Sequence, residues 1–304
     1  MLKDIFITWG AFWIMTVGSA VFAQGDGDQY VLDSQKILLA MQTIESDLRI
    51  ETFVDGKAYT SIGRYEEQAL SNTTPNTFLR SMYRLEVYFS MNSPMPNDSE
   101  PNRMTLVCHP SEETGKNQIT RYTSIEGVKS FSTVNLTTVE RRFQAANREA
   151  MFAQISEVKN WGGLSGMMRQ ICRFYKFSTP TQETLHDEQP ILTWKLTGAM
   201  QNIHIKELLP RFGDLDKEGR YPADFPSDVE IWLGQHDYFP YRIRYLRRTS
   251  EKSTPKQLLF QESFYKVTLN GTPLPASKFA PLTPPEGVFS VQDDTENFIR
   301  VLGL

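Results

Sequence analysis

The stretch Tyr241-Arg-Ile-Arg-Tyr-Leu-Arg-Arg248 alternates apolar and basic side chains, and this period of two residues indicates the fold class. In an extended chain Tyr241, Ile243 and Tyr245 fall on one face, whereas the arginines at 242, 244 and 248 fall on the other. One dry face and one solvated face are typical of a strand in an antiparallel sheet.

The same alternation recurs toward the amino terminus, in a strand predicted over residues 79–91. Its apolar face carries Tyr83, Leu85, Val87 and Phe89. Ile50–Val54 and Lys57–Gln68, joined by Asp55-Gly56, are typical of a hairpin. Further strands are predicted in residues 103–109, 118–125, 128–136, 190–196, 229–233 and 257–269.

Two regions show helical spacing instead. Residues 30–48 predict a first helix, and residues 138–176 predict a helical insertion that is interrupted at Gly162-Gly163. Shorter helices are predicted in residues 203–209 and 294–302. Strands and helices do not alternate regularly, so a parallel sheet is disfavoured. The predicted fold is therefore α+β, mainly β: one large, curved antiparallel sheet with helices on one face.

The second half of the insertion is an amphipathic helix whose apolar stripe includes two methionines. The stripe and the apolar strand faces form either an ordinary core or an incompletely filled core that accepts an apolar ligand. Methionine suits surfaces that repack around different chains, and Gly162-Gly163 permits a hinge. The candidate ligand-binding residues are Tyr83, Leu85, Val87, Phe89, Leu164, Met167, Met168, Ile171, Phe174, Tyr241, Ile243 and Tyr245.

The amino-terminal 23 residues predict a secretory signal. Lys3 supplies a positive start, residues 5–22 are largely apolar, and Val21-Phe22-Ala23 is followed by the polar stretch Gln24–Asp28. The alternative is an uncleaved membrane anchor, since the apolar run is near the lower length limit for spanning a bilayer. We expect an exported protein of the periplasm or cell envelope, with residues 24–304 forming a single domain.

Composition narrows the function classes. The net charge of −4 argues against general nucleic-acid binding. In an oxidising compartment the two cysteines, Cys108 and Cys172, are candidates for a disulfide; the alternative is two buried thiols.

The sequence contains no motif that indicates catalysis. The four histidines lack the spacing of a helical zinc site, and Gly163-Leu-Ser-Gly166 lacks the last glycine of a nucleophile elbow. The acidic run that starts at Asp214 resembles the start of a calcium loop. Its twelfth position, where a carboxylate ligand is expected, is occupied by Phe225. We therefore predict no enzyme activity, no metal and no cofactor.

The most distinctive stretch is Phe279–Asp293, which reads FAPLTPPEGVFSVQD. It resembles the closing segment of the periplasmic outer-membrane lipoprotein carriers, the Lol-type carrier family. Phe78–Tyr88 resembles an early family strand that bears an arginine, and Val229–Leu233 with Phe239-Pro240 resembles the family's late strand pair. This chain is longer than a simple carrier, with the extra length in residues 94–101, 138–176 and 210–227.

The resemblance implies an open half-barrel with helices covering its concave face. It also implies a carrier that shelters the acyl chains of lipids or lipoproteins, with a membrane-bound donor or acceptor protein as partner. The family's lid-holding arginine would be Arg80 or Arg84 here. Shared fold does not fix function, so two alternatives stay open: an envelope scaffold or interaction module with a filled core, and a hydrolase with an unrecognised site.

Overall fold

The computed structural model describes residues 26–54, 57–70, 81–89, 101–111, 116–145, 163–186, 189–202, 205, 221–222, 225–248, 256–288 and 290–301. The predicted signal at residues 1–23 lies outside these ranges, as do Arg80, most of the predicted helix at 203–209 and the middle of the helical insertion.

Four α-helices are described, together with a short 3-10 helix at Ala276–Phe279. The α-helices are α1 (Asp26–Ala40), α2 (Leu136–Ala145), α3 (Leu164–Phe174) and α4 (Thr295–Val301). None of the helices within the described ranges has the length and apolar character needed to cross a membrane.

Thirteen strands form one sheet. They are β1 (Thr43–Val54), β2 (Lys57–Ala69), β3 (Ser81–Phe89), β4 (Arg103–Ser111), β5 (Lys116–Ile125), β6 (Val128–Asn135), β7 (Tyr175–Phe177), β8 (Thr181–His186), β9 (Pro190–Met200), β10 (Asp228–Gly234), β11 (Pro240–Arg248), β12 (Lys256–Leu269) and β13 (Ser290–Asp293).

The strand order is β13-β6-β5-β4-β3-β2-β1-β12-β11-β10-β9-β7, and β8 also pairs with β9. Every pair is antiparallel except β13 with β6, which is parallel. Among the described strands the two ends of the sheet do not pair with each other, so the sheet stays open. The predicted fold, an open half-barrel dominated by antiparallel strands, is confirmed.

The two faces of the sheet have different roles. We call the face that carries Ile44, Tyr65, Tyr83 and Phe264 the inner face, because it packs against the helices in one hydrophobic cluster. The opposite, outer face is polar over much of its area. There Lys195 Nζ and Arg244 Cζ each lie 4.8 Å from the ring centroid of Trp232. The alternation predicted for residues 241–248 therefore separates the faces of β11 as expected.

The proline-rich segment before β13 crosses the outer face. Lys278 Nζ contacts Glu66 Oε1 on β2 at 2.6 Å, and the backbone N–H of Leu282 donates to Thr120 Oγ1 on β5 at 3.2 Å. Phe279 is buried in this layer. The first part of the stretch that carries the family resemblance thus packs on the side of the sheet opposite to α1 and α3, and its last four residues form β13 within the sheet.

The predicted first helix is wrong beyond Ala40. The structure places α1 over Asp26–Ala40 and begins β1 at Thr43. Ile44 and Leu48 are four residues apart, so they share a face in a strand as well as in a helix. Their spacing alone therefore did not distinguish the two.

Candidate functional site

The inner face, α1 and α3 enclose one apolar cluster. All five residues of the predicted helical stripe are buried in it, as are Tyr83, Ile243 and Tyr245, while Leu85 and Tyr241 pack against it partly buried. The structure therefore brings most of the predicted ligand-binding residues together. Two members of the set, Val87 and Phe89, stand apart from this cluster. Val87 is buried and Phe89 is half-buried.

The cluster is rich in methionine. Met167 and Met168 of α3 meet Met41, which follows α1, and Met200 at the end of β9 in the same cluster. Each is buried. Methionine side chains have three rotatable bonds and fill irregular space, so this cluster can change its packing more readily than one built of β-branched residues.

Helix α3 is fixed to the sheet at its first residue by a buried carboxylate. Glu67 on β2 accepts hydrogen bonds from Tyr65 Oη at 2.5 Å, from Ser81 Oγ at 2.6 Å and from the backbone N–H of Leu164 at 3.2 Å. The same N–H also donates to Tyr65 Oη at 2.9 Å. A carboxylate at a helix start is favourable because the first N–H groups lack partners within the helix.

Burial controls the protonation of Glu67 and Tyr65. It raises the pKa of Glu67, and the three hydrogen bonds that the carboxylate accepts oppose the rise. Burial and the neighbouring Glu67 carboxylate raise the pKa of Tyr65 well above its usual value, so Tyr65 stays protonated and its hydroxyl donates a hydrogen bond to Glu67. We call Glu67, Tyr65 and Ser81 the latch.

The arginine expected to hold the lid does not do so in the described structure. Arg84 lies on the outer face, where its guanidinium donates to the backbone oxygen of Lys278 at 3.4 Å and contacts Glu86 at 3.1 Å. It therefore fastens the proline-rich segment rather than α3. The other candidate, Arg80, lies outside the described residues.

The other end of α3 continues directly into the sheet. Tyr175, the first residue of β7, donates from its hydroxyl to the backbone oxygen of Pro226 at 2.8 Å. Two residues on, the backbone N–H of Phe177 donates to Asp28 on α1 at 2.8 Å, and Asp28 also pairs with Lys176. Thus α3 runs directly into the sheet at its carboxyl end, and the latch contacts it at its amino end.

A second carboxylate, Glu262 on β12, lies among apolar residues of the inner face. Its cross-strand partners are Ile50 on β1 and Ile243 on β11, and Phe260 and Phe264 flank it on the same face. Within the part of the chain that the structure describes, its Oε2 atom is shielded from solvent and has no hydrogen-bond partner. Burial raises the pKa of Glu262 to about 7.

Neither glutamate was predicted as a site residue, although the sequence pattern around each one is distinctive. In Ser61-x-Gly63-x-Tyr65-x-Glu67 the carboxylate falls on the face that also carries the tyrosine, and in Phe260-x-Glu262-x-Phe264 it falls between two phenylalanines. A charge on the apolar face of an alternating strand is the pattern to look for, because such burial is costly unless the charge is paired.

The two cysteines are not joined to each other, so the structure lacks the disulfide that export would allow. Cys108 lies on the inner face of β4 opposite Tyr83, whereas Cys172 lies on α3. Burial raises the pKa of Cys172 to about 12 and that of Cys108 still further, so both stay protonated at neutral pH. Within the described ranges, no group of three or more histidine, cysteine, aspartate or glutamate side chains could hold a metal ion.

No family model and no curated protein matches the chain. Among solved structures it is similar to a DUF1329 family protein from Desulfovibrio piger, with 10% identity and a TM-score of 0.35 over 84% of this chain and 98% of that chain. It is also similar to LprF from Mycobacterium bovis, with 10% identity and a TM-score of 0.34 over 86% and 97% of the two chains. A third similar structure is a LolA superfamily protein from Nitrosomonas europaea, with 11% identity and a TM-score of 0.22 over 86% and 98%.

Proposed function

We propose that this protein is an exported, non-enzymatic carrier that shelters acyl chains of a lipid or lipoprotein between its inner face and the helices α1 and α3. The observation that carries the proposal is the attachment of α3. A helix that covers the apolar face of an open sheet runs directly into strand β7 at one end, and the latch binds its backbone at the other.

The physical need for such a cover is simple. Transfer of an acyl chain from water to an apolar environment is favourable by roughly 0.8 kcal/mol for each methylene. A chain in transit therefore needs an apolar surface that can open and close. Release of the Leu164 N–H from the latch would let α3 swing about its junction with β7. The methionines at 167 and 168 would then pack against the ligand instead of against the sheet.

Delivery and release of such a ligand require contact with membranes or membrane proteins. We therefore include a membrane-bound donor or acceptor protein among the partners, and we place the protein in the periplasm or cell envelope on the strength of the predicted signal at residues 1–23.

One observation favours a second candidate, an envelope scaffold with a filled core. The residues of the α3 stripe that would face a ligand are all buried against other protein groups, and Met168 is fully inaccessible. A scaffold needs no opening of α3 and has no acyl ligand, so the two functions differ in a measurable way.

The test is the binding of fluorescent fatty-acyl probes to the delipidated protein. A carrier binds them saturably, and the affinity increases with chain length by up to about fourfold for each methylene. The scaffold shows no saturable binding at any length, and that result would overturn the proposal.

A pair of variants locates the site. Met168→Asp places a charge in the cluster and should abolish probe binding. The matched control Ile62→Asp places the same charge on the outer face, at a side chain that is 64% exposed, and should bind like the wild type. Should Met168→Asp fail to fold, the chain-length series on the wild-type protein still decides between carrier and scaffold.

A further inference from the structure

We propose that Glu262 is a recognition site for a cationic group, so that the preferred ligand is an amphiphile with a primary ammonium group close to its acyl chain. This inference rests on the proposed carrier function and adds the chemical class of the ligand's polar end. It is carried by the unpartnered carboxylate on the otherwise apolar inner face.

Other buried carboxylates of the sheet show what a partnered carboxylate looks like in this protein. Glu67 accepts three hydrogen bonds within the latch. Asp228, which is fully buried, contacts Arg248 Nε at 2.7 Å and Lys256 Nζ at 2.8 Å. Among the described residues, no hydrogen-bond donor or cation contacts Glu262 in a comparable way.

An unpaired carboxylate at such a position weakens the fold, because taking a charge out of water is unfavourable unless a partner compensates for it. Neutral residues of similar size would serve the core better. A group that lowers stability in this way is expected at a functional site, where a ligand supplies the missing partner.

The surroundings of Glu262 suit the junction between a polar group and an acyl chain. Ile50, Ile243 and Phe264 border the carboxylate with apolar surface. Glu262 as a whole is only half-buried, so one side of it remains reachable while Oε2 is enclosed. A ligand could therefore lay its chain on the inner face and place its polar end against Glu262.

An ammonium group compensates for the buried carboxylate of Glu262 better than a hydroxyl does. It neutralises the charge and donates up to three hydrogen bonds, and charge-assisted hydrogen bonds are roughly twice as strong as neutral ones. Among the described residues, the titratable group that interacts with Glu262 is Tyr245 on β11, whose hydroxyl stays protonated because burial, and secondarily Glu262, raises its pKa. Tyr245 is therefore neutral and adds no second negative charge that would compete with Glu262 for a cation.

The experiment compares two fluorescent probes with the same alkyl chain, one ending in a primary amine and one in an alcohol. At pH 8 the wild-type protein should bind the amine about tenfold more tightly than the alcohol. Glu262→Gln should remove this preference and leave alcohol binding within about twofold of the wild type. Glu230→Gln, which removes a carboxylate from the outer face, should keep the preference.

The outcomes separate the inference from the function on which it rests. Binding of the alcohol with no preference for the amine overturns the role of Glu262 and leaves the carrier function intact. A preference that persists in Glu262→Gln also overturns it. Failure of both probes to bind the wild type overturns the carrier function together with this inference. The preference should also decrease from pH 8 to pH 5, as Glu262 becomes protonated.

Discussion

At the scale of single residues, two glutamates on the inner face show how surroundings set the role of a carboxylate. Burial raises the pKa of both. Glu67 is surrounded by three donors that favour its charged form, so it can hold a helix start. Glu262 has apolar neighbours, and its pKa of about 7 reflects burial alone. The first carboxylate is structural, whereas the second is available to a ligand.

The raised pKa of Glu262 predicts how the stability of the ligand-free protein depends on pH. The folded state binds a proton more tightly than the unfolded state, whose pKa is near the ordinary 4.5. The free energy of unfolding should therefore decrease as the pH rises from about 4.5 to 7, by at most about 3 kcal/mol. Glu262→Gln should lose this decrease and be more stable than the wild type at pH 8, as measured by urea unfolding at both ends of the range.

The comparison with Glu262→Gln is needed because the titration of Glu67 changes the free energy of unfolding with pH in the same direction. Its pKa is also raised, and it is present in both proteins, so the difference between their pH profiles belongs to Glu262. Identical pH profiles for wild type and Glu262→Gln would contradict the burial of an unpaired carboxylate.

At the scale of elements, most strands with one dry face could be predicted, whereas strands without one could not, and the start of β1 and most of β7 were predicted as helix. β11 and β3 alternate clearly, and their predicted faces agree with the structure. β8 and β13 escaped prediction, and the predicted helical insertion at 138–176 is wrong at its end, where β7 begins at Tyr175. β8 has only Leu185 buried, and all four residues of β13 are exposed, so neither has an apolar face to detect. Both lie near the ends of the sheet, where a strand has fewer neighbours.

The site was predictable to the same degree. The helical stripe and the apolar face of β11 were identified because apolar periodicity marks them. The latch was not, because the contact between Glu67 and Leu164 joins residues 97 positions apart. The predicted lid-holding role of Arg84 came from family resemblance and not from periodicity, and the alternation within β3 already placed Arg84 opposite to the apolar face.

The hydrogen bonds of the latch predict how fast the amides of α3 exchange. Glu67→Gln should speed amide hydrogen exchange in residues 164–174 by roughly tenfold, because a glutamine has one acceptor oxygen where three donors converge. Gly163→Ala should have the same effect, since an added Cβ would come within 2.4 Å of Glu67 Oε1. Exchange is measured by mass spectrometry on both variants.

The matched control is the neighbouring residue on the other face. Glu66 binds Arg64 and Lys278 on the outer face. Glu66→Gln should therefore speed exchange around residues 276–279 and leave residues 164–174 unchanged. Faster exchange of α3 in both variants would mean a general loss of stability and would count against a local latch.

At the scale of the whole molecule, the open sheet and the two ends of α3 define which part can move. In the order of the sheet, the ten strands from β6 through β1 and β12 to β9 are held in register by continuous pairing. Helix α3, in contrast, is joined to β7 at its carboxyl end and has a polar contact at Leu164. Opening would thus rotate α3 away from β2 and β3 while the sheet keeps its shape. Cys108, which lies on the inner face of β4 beside Tyr83, would become accessible in that open state.

Alkylation of Cys108 should therefore report the opening of α3. In a Cys172→Ser background the native protein should react slowly, because Cys108 is fully buried and burial keeps its thiol protonated. Adding Glu67→Gln should increase the rate by roughly tenfold, in parallel with the exchange of α3 amides, whereas Glu66→Gln should not. The amides of β12, at the centre of the sheet, should exchange more slowly than Cys108 reacts. If Cys108 reacted only as fast as those central amides exchange, its exposure would require global unfolding, and α3 would be a fixed part of the core.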